Sequence, residues 1–227
     1  MRAETAGSRR AGWAVPVALV ALALVPSVAG LLRLADLAGG GPVSPGAARF
    51  RAHPVPVVLH IVAALPFGLL GALQFGSGAR RRPRRWHRAA GRALAPLGLV
   101  VALTGLWMTM TYPWPAGDGL VLYVQRLVFG TAMVASLVAG LEAIRRGNFA
   151  AHGAWMTRAY ALGMGAGTQV FTHLVWWQLV GRPGEAERAL LMSAGWGINL
   201  LVAEWAIRGR SASRPGAPRP REAVLPG

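Results

Sequence analysis

Six apolar stretches, each about as long as a membrane is thick, set the main constraint on how this chain can fold. A helix needs about 20 consecutive apolar residues to cross the hydrocarbon core. The stretches run from Ala11 to Leu32, Val55 to Gly76, Ala93 to Tyr112, Gly119 to Ala143, Ala154 to Val180 and Ala189 to Ile207. They are continuously apolar rather than alternating, and lipid offers the backbone no hydrogen bonds. The sequence therefore predicts an all-α integral membrane bundle of about six transmembrane helices.

The composition agrees with a membrane protein and excludes several kinds of site. Charged residues make up 14% of the chain, whereas soluble domains carry about 25%. The absence of cysteine excludes disulfides, thiolate metal sites, iron–sulfur clusters and covalently attached haem. The chain has no Gly-rich phosphate loop, His-Glu-x-x-His motif or paired-carboxylate cleft. Nothing therefore indicates a hydrolase or a transferase, while a redox role stays open.

The distribution of arginine predicts the orientation, because short arginine-rich loops stay in the cytoplasm. With the N-terminus inside, eighteen arginines fall on the inner side and five on the outer side. The outer five are Arg33, Arg49, Arg51, Arg182 and Arg188. We therefore predict that the N-terminus and the C-terminus are both cytoplasmic.

The stretch ARRRPRRWHRAAGR (residues 79–92) contains seven arginines and lies between two apolar stretches. We interpret it as a short inner loop that contacts anionic lipid headgroups, each arginine contributing about 1 kcal/mol near the surface. Nucleic-acid binding is not expected, because the loop is tethered at the bilayer and has one aromatic residue instead of a stacking platform.

The ends of the chain divide it into three parts. Residues 1–10 form a short cytoplasmic N-terminus, residues 11–207 the transmembrane domain, and residues 208–227 a disordered, basic, Pro/Arg-rich cytoplasmic tail. The first apolar stretch also resembles a signal peptide ending at Ser27-Val28-Ala29. Its apolar run is longer than a typical signal core, which favours a retained anchor. The connector AGGGPVSPGAARF is expected to be flexible.

Ionisable residues at membrane depth predict functional sites, because burying them there is costly. His60, Arg126 and His173 lie on three different predicted helices at a similar depth near the outer face. In one hypothesis the two histidines bind a haem b for electron transfer to an unidentified partner, and Arg126 contacts its propionates. In another, the three residues form an anion or proton site of a transporter or sensor. A membrane scaffold without chemistry is the third.

A second polar group lies at the inner face and consists of Gln74, His87, Glu142, His152, Arg158 and Glu204. His87 and His152 are a weaker candidate pair for a haem, because His87 lies in the arginine loop. A second haem would also be remote, since His152 and His173 are 21 residues apart, about 31 Å along a helix. Glu204 is expected to neutralise Arg158 in a structural ion pair. Asp118 and Glu142 flank one helix and are not expected to cooperate.

Small residues recur at intervals of four in two of the stretches. They are Ala64-x-x-x-Gly68-x-x-x-Ala72 and Gly163-x-x-x-Gly167, the latter within the sequence GMGAG. This spacing places small side chains on one helix face, where neighbouring helices can approach closely. We therefore predict packing contacts at these glycines. Breaks of the kind found in transporters are the alternative.

Two motifs at the inner face carry a family resemblance. They are Gln74-Phe75 followed by His87-Arg88-x-x-Gly91-Arg92, and later His152-x-x-Trp155-Met156-x-Arg158. Together they resemble the bacterial predicted membrane proteins that contain domain of unknown function 2306, over roughly His60 to His173. The resemblance implies a multi-pass protein of the bacterial cytoplasmic membrane and directs attention to the inner face, but it implies no activity.

Overall fold

The structure, a computed structural model, describes residues 6–39, 47–75 and 84–212, and in these ranges every regular element is an α-helix. The helices are α1 (Ala6–Ala38), α2 (Ala48–Ala52), α3 (Pro54–Ala72), α4 (Arg84–Thr111), α5 (Leu120–Arg145), α6 (Phe149–Gly163), α7 (Gly165–Leu179) and α8 (Glu185–Ala212). The predicted all-α fold is confirmed for these residues.

Five helices are long and apolar enough to cross a membrane. Their candidate spans are Trp13–Ala38, Pro54–Ala72, Arg85–Thr111, Leu120–Arg145 and Glu185–Arg210, and they match five of the six predicted stretches. The remaining stretch, predicted from Ala154 to Val180, is divided between α6 and α7, which have 15 residues each. The prediction of six uninterrupted helices is therefore corrected at this one position.

The interruption lies at Met164, within the GMGAG sequence. The Met164 N–H still donates to the Tyr160 carbonyl at 2.9 Å, but the Gly167 N–H donates to the Met164 carbonyl at 3.1 Å. The hydrogen-bond spacing thus shortens from four residues to three. Glycine has a low helix propensity, and three glycines within five residues make this the weakest point of the long apolar stretch.

Asn199 of α8 fastens the two halves together. Its Nδ2 donates to the Ala161 carbonyl at 3.1 Å, which in an unbroken helix would accept from the N–H of Gly165. Its Oδ1 accepts from the Thr168 hydroxyl at 2.7 Å. One side chain therefore bonds a residue on each side of the break, so that α6 and α7 are held in a defined relation.

Helix α8 runs antiparallel to both halves. Near its C-terminal end, Glu204 pairs with Arg158 of α6. Near its other end, the Leu191 carbonyl accepts from the Thr172 hydroxyl of α7 at 3.0 Å. Residue numbers rise along α6 and α7 as they fall along α8, so the two short helices together extend alongside one long helix.

The glycines of GMGAG are contact points for three other helices, as their spacing predicts. A Cβ added at Gly163, Gly165 or Gly167 would lie closer than 3 Å to a neighbouring helix. The neighbours are the Phe67 ring of α3 for Gly163, the Trp196 ring of α8 for Gly165 and the Leu22 carbonyl of α1 for Gly167. The core beside them contains Met133, Leu137, Tyr160, Leu162 and Met164. The predicted close packing is confirmed.

Several helix ends differ from the sequence-based boundaries. Helix α4 begins at Arg84, so His87 lies in a helix and the expected arginine loop is shorter. Helix α1 continues to Ala38 and includes Arg33, while the short α2 lies at the end of the connector that was expected to be flexible. The predicted tail beyond residue 212 and most of the connector lie outside the described residues.

A substitution that adds one methyl group at Gly167 tests the contact between α1 and α7. In Gly167→Ala the new methyl meets the Leu22 backbone carbonyl, which cannot rotate away, so we expect a loss of about 1–3 kcal/mol of unfolding free energy. The matched control is Gly153→Ala in α6, where nothing lies within 4 Å and helix propensity adds up to about 1 kcal/mol. Thermal unfolding in detergent measures both. Equal stability of the two variants would show that α1 does not approach α7 at this point.

Candidate functional site

His60, in the middle of α3, faces α4. Its Nδ1 lies 3.1 Å from both the Val101 carbonyl and the Thr104 hydroxyl oxygen. A carbonyl can only accept, so Nδ1 carries the proton of the neutral ring. Thr104 donates its own proton to the Val100 carbonyl at 2.5 Å and can therefore accept from His60. The acceptor nitrogen is Nε2, on a ring that lines a cavity of about 130 Å³.

His173 lies on α7, and its hydrogen bond is local. Nδ1 is 2.7 Å from the Gln169 carbonyl, one turn earlier, which again assigns the proton to Nδ1. Nε2 is buried and has no hydrogen-bond partner in the described part of the chain. Gln169 in turn donates to the Met192 carbonyl at 3.0 Å, so His173 belongs to the interface between α7 and α8.

The predicted outer haem pair, His60 and His173, does not form one site. His60 lines the cavity between α1, α3 and the break, and His173 is not among the described residues that line it. Sites for drug-sized ligands measure about 300–1,000 Å³, and a haem is of that size. A space of about 130 Å³ does not hold one, so these residues do not fit a haem held between both imidazoles.

Arg126, the third residue of the predicted outer site, pairs with a carboxylate. Its Nη1 lies 2.6 Å from Asp118 Oδ2. Arg188 of α8 binds the other oxygen of the same carboxylate, with Nε 2.6 Å from Oδ1. The Asp118 side chain is 2% exposed, against 25% for Arg126 and 30% for Arg188. The connection before α5 is thereby tied to α5 and α8, and Arg126 pairs with this carboxylate rather than with either histidine.

Three further arginines extend this group. The guanidinium groups of Arg33 and Arg49 both stack on the Phe50 ring, at 4.9 and 4.5 Å from its centroid. Asp36 accepts from Arg33 at 3.0 Å and from Arg51 at 3.3 Å. We call these residues the arginine cluster; its members are Arg33, Asp36, Arg49, Phe50, Arg51, Asp118, Arg126 and Arg188. Five arginines face two aspartates, and Glu185, which packs against Gly119, adds one carboxylate at the edge.

Arg49 is the member whose charge is least compensated. Its Nη1 donates to the Pro113 carbonyl at 3.3 Å, a neutral acceptor. Partial burial lowers the pKa of Arg49; Asp118 opposes this shift, and the positive charges of Arg126 and Arg33 add to it. The surroundings of Arg49 therefore disfavour its charge on balance, and an anion placed there would be stabilised.

At the opposite end of the bundle, Arg158 and Glu204 form the predicted pair. Arg158 Nε and Nη2 donate to the two carboxylate oxygens of Glu204 at 2.6 and 3.1 Å. The guanidinium also stacks on Trp155, 4.6 Å from its ring centroid. This bidentate geometry connects α6 to α8 and leaves little of either charge uncompensated.

The predicted inner histidines come to the same end of the bundle. His152 Nδ1 lies 2.8 Å from the Gly140 carbonyl of α5, so Nε2 is its acceptor nitrogen. His87, exposed in the first turns of α4, is close enough to His152 for their charges to interact. The structure therefore places both histidines at the same end of the bundle, and it places His87 in a helix where a loop was expected.

Gln74 and Phe75, at the end of α3, meet α6 near these groups. The Phe75 ring lies 4.8 Å from that of Tyr160, centroid to centroid. Both amide atoms of Gln74 are buried and have no hydrogen-bond partner in the described part of the chain. No group of three or more possible metal ligands occurs among the described residues.

The sequence did not indicate Asp118, although it indicated Arg126. The available signal is weak: Asp118 precedes Arg126 by eight residues, about two helical turns, in a connection without arginine. Arg49 and Arg33 were assigned only to the outer side, because their convergence on Phe50 depends on how α1 and α2 pack.

Asp118→Asn tests whether this carboxylate organises the cluster. Removing one member of a buried ion pair costs about 3–5 kcal/mol, and here two arginines lose their partner. We expect a large fall in thermal stability that added sulfate partly restores, because sulfate replaces the missing negative charge. The control is Glu142→Gln, whose partner Arg146 is 75% exposed. The role of Asp118 is excluded if both variants lose the same small amount and sulfate affects neither.

The family model described as "Predicted membrane protein (DUF2306)" matches residues 57–207, a range that contains the cluster residues of α5 and α8 and all the inner motifs. Curated proteins and solved structures contain no significant match to the chain.

Proposed function

Because this chain belongs to the family of predicted membrane proteins named DUF2306, whose description assigns no activity, we propose its function from its own residues. We propose that it is a membrane receptor or transporter that binds a small oxyanion at the arginine cluster. The observation that carries this proposal is Arg49, whose guanidinium stacks on Phe50 and donates to the neutral Pro113 carbonyl.

The chemistry of the cluster suits a carboxylate, phosphate or sulfate. Guanidinium groups bind such oxyanions through two parallel hydrogen bonds. Phe50 holds the planes of Arg33 and Arg49 on its ring, so both approach the ligand already oriented. Asp118 keeps Arg126 and Arg188 in place when no anion is bound. The ligand then has to compensate only the surplus charge.

We also propose that the cluster faces outward and that both termini are cytoplasmic. The support is the arginine distribution, eighteen against five, and the alignment of α6 and α7 with the full length of α8, which makes a sixth, broken crossing. The arginine-rich start of α4 would then lie at the cytoplasmic surface beside anionic headgroups. A topology reporter fused near Gly117 measures this orientation directly, because the proposal places Gly117 outside the cell and the reporter should score as external.

Anion binding is tested by titrating the purified protein with inorganic phosphate and with sulfate in an uncharged detergent, using calorimetry. Arg49→Gln removes the under-compensated charge but leaves the Asp118 ion pairs in place, so we expect affinity to fall at least tenfold. Arg182→Gln is the matched control, because Arg182 is exposed and outside the cluster; its affinity should stay within about twofold. Binding should also weaken with added chloride salt.

The proposal would be overturned if the Arg49→Gln and Arg182→Gln proteins bound the anion with equal affinity. It would also be overturned if calorimetry detected no anion binding by the unmodified protein. Uptake of labelled anion by proteoliposomes then distinguishes transport from reception.

A second candidate function, haem-b-supported electron transfer, is favoured by one observation at the inner pair. His152 donates Nδ1–H to a carbonyl, and its Nε2 has no hydrogen-bond partner among the described residues; metal-ligating histidines usually have this arrangement. His152 and the neighbouring His87 would hold the group, and a bound haem would supply one-electron chemistry. The chain itself contributes the orientation of His152 through Gly140.

The haem candidate is tested by the absorption spectrum of protein purified from haem-supplied cells, before and after reduction by dithionite. We expect a reduced b-type band that His152→Ala removes. His53→Ala is the control, because His53 is exposed and lies at the far end of the bundle, before α3. A spectrum without haem bands, or bands unchanged in His152→Ala, would rule out this site.

A further inference from the structure

The cavity beside the break in the α6–α7 pair is lined mainly by small and apolar side chains. Its volume is about 130 Å³, and its walls come from α1, α3, α4 and the break itself. Small side chains and glycines form much of the lining, and the described lining residues include no Asp, Glu, Lys or Arg. The polar side chains are His60 and Ser27. The space therefore suits an uncharged and mostly apolar occupant.

His60, one of the residues that line this space, has a hydrogen-bond acceptor left over. Its Nδ1 proton is committed to the Val101 carbonyl and the Thr104 hydroxyl oxygen of α4, so the neutral ring offers only the lone pair of Nε2. A polar atom in apolar surroundings costs free energy unless it is hydrogen-bonded. A donor group on the occupant would remove that cost.

The volume sets the size of the occupant. An apolar cavity of about 150 Å³ in another protein stays dry and binds benzene, and a buried water needs two to four polar partners. Leaving a void of this size empty also costs stability. One six-membered ring carrying a hydroxyl group matches both the volume and the Nε2 acceptor of His60 better than a chain of waters does.

Access is available from the side of the bundle that faces lipid. Ala166 lines the cavity and is exposed, whereas Met164 and Gly167 beside it are buried. The cavity therefore reaches the helix surface at the break. In a chain that spans a membrane this surface contacts acyl chains, so the occupant would enter from the bilayer.

We propose that this cavity is a binding site for a small, uncharged, membrane-soluble ring compound whose hydroxyl group donates to His60 Nε2. The site is separate from the arginine cluster and from the inner histidines, and it requires the break, since Gly163, Met164, Ala166 and Gly167 form one of its walls.

The test uses two probes of matched size, 4-fluorophenol and fluorobenzene, with fluorine NMR on the full chain in an uncharged detergent. Detergent micelles take up both probes, so binding is defined as the saturable part. We expect 4-fluorophenol to bind more tightly than fluorobenzene by about fivefold, the effect of one neutral hydrogen bond. His60→Leu should remove that preference while fluorobenzene still binds.

Filling the cavity is the second arm. Ala64→Leu places a larger side chain in the space and should abolish saturable binding of both probes; Ser27→Leu does the same from α1 if Ala64→Leu does not fold. Ala150→Leu, on the exposed start of α6, is the control for added apolar surface. Saturable binding that survives both filling variants would overturn the proposal. So would its absence from the unmodified protein, or equal affinity for the two probes.

Discussion

The rest of this structure depends on how the backbone is hydrogen-bonded at the break between α6 and α7, because an unpaired backbone group away from water costs free energy. The Asn199 side chain hydrogen-bonds to both halves of the broken helix. It donates to the Ala161 carbonyl on one side of the break and accepts from the Thr168 hydroxyl on the other. The Asn199 bonds come from α8, so α8 passes beside the break. The approach of α1 at Gly167 and the cavity beside Met164 lie at the same place.

Charge is treated differently at the two ends of the bundle. At the end with Arg158 and Glu204, one bidentate pair compensates one charge of each sign. At the other end the carboxylate of Asp118 is shared by two arginines, and Arg49 forms no ion pair with a carboxylate in the described part of the chain. The first arrangement is complete without a ligand and can serve as a structural tie. The second has more arginines than carboxylates and could compensate the charge of a bound anion. This difference supports the proposal that an anion binds at the arginine cluster.

The five long spans were predictable because hydropathy is a sum over neighbouring residues and needs no tertiary information. The pair of Arg158 and Glu204 was predictable for a related reason: both residues lie at the same depth on helices that cross in opposite directions. The break at Met164 was not, because GMGAG is apolar throughout and its partner Asn199 lies 35 residues further along the chain. The separation of His60 from His173 could not be predicted either, because the depth of a residue along a helix does not specify which face of the helix its side chain occupies.

Helix α1 forms part of the cavity wall, so the cavity depends on whether this helix is retained in the protein. The N-terminal stretch ends its signal-like portion at Ala29, and Ala23, Pro26 and Ser27 form part of the wall around His60. Proteolytic removal of this portion would open the wall and leave the imidazole against lipid. An intact cavity at the break therefore requires α1, in agreement with the retained anchor that the length of its apolar run favours.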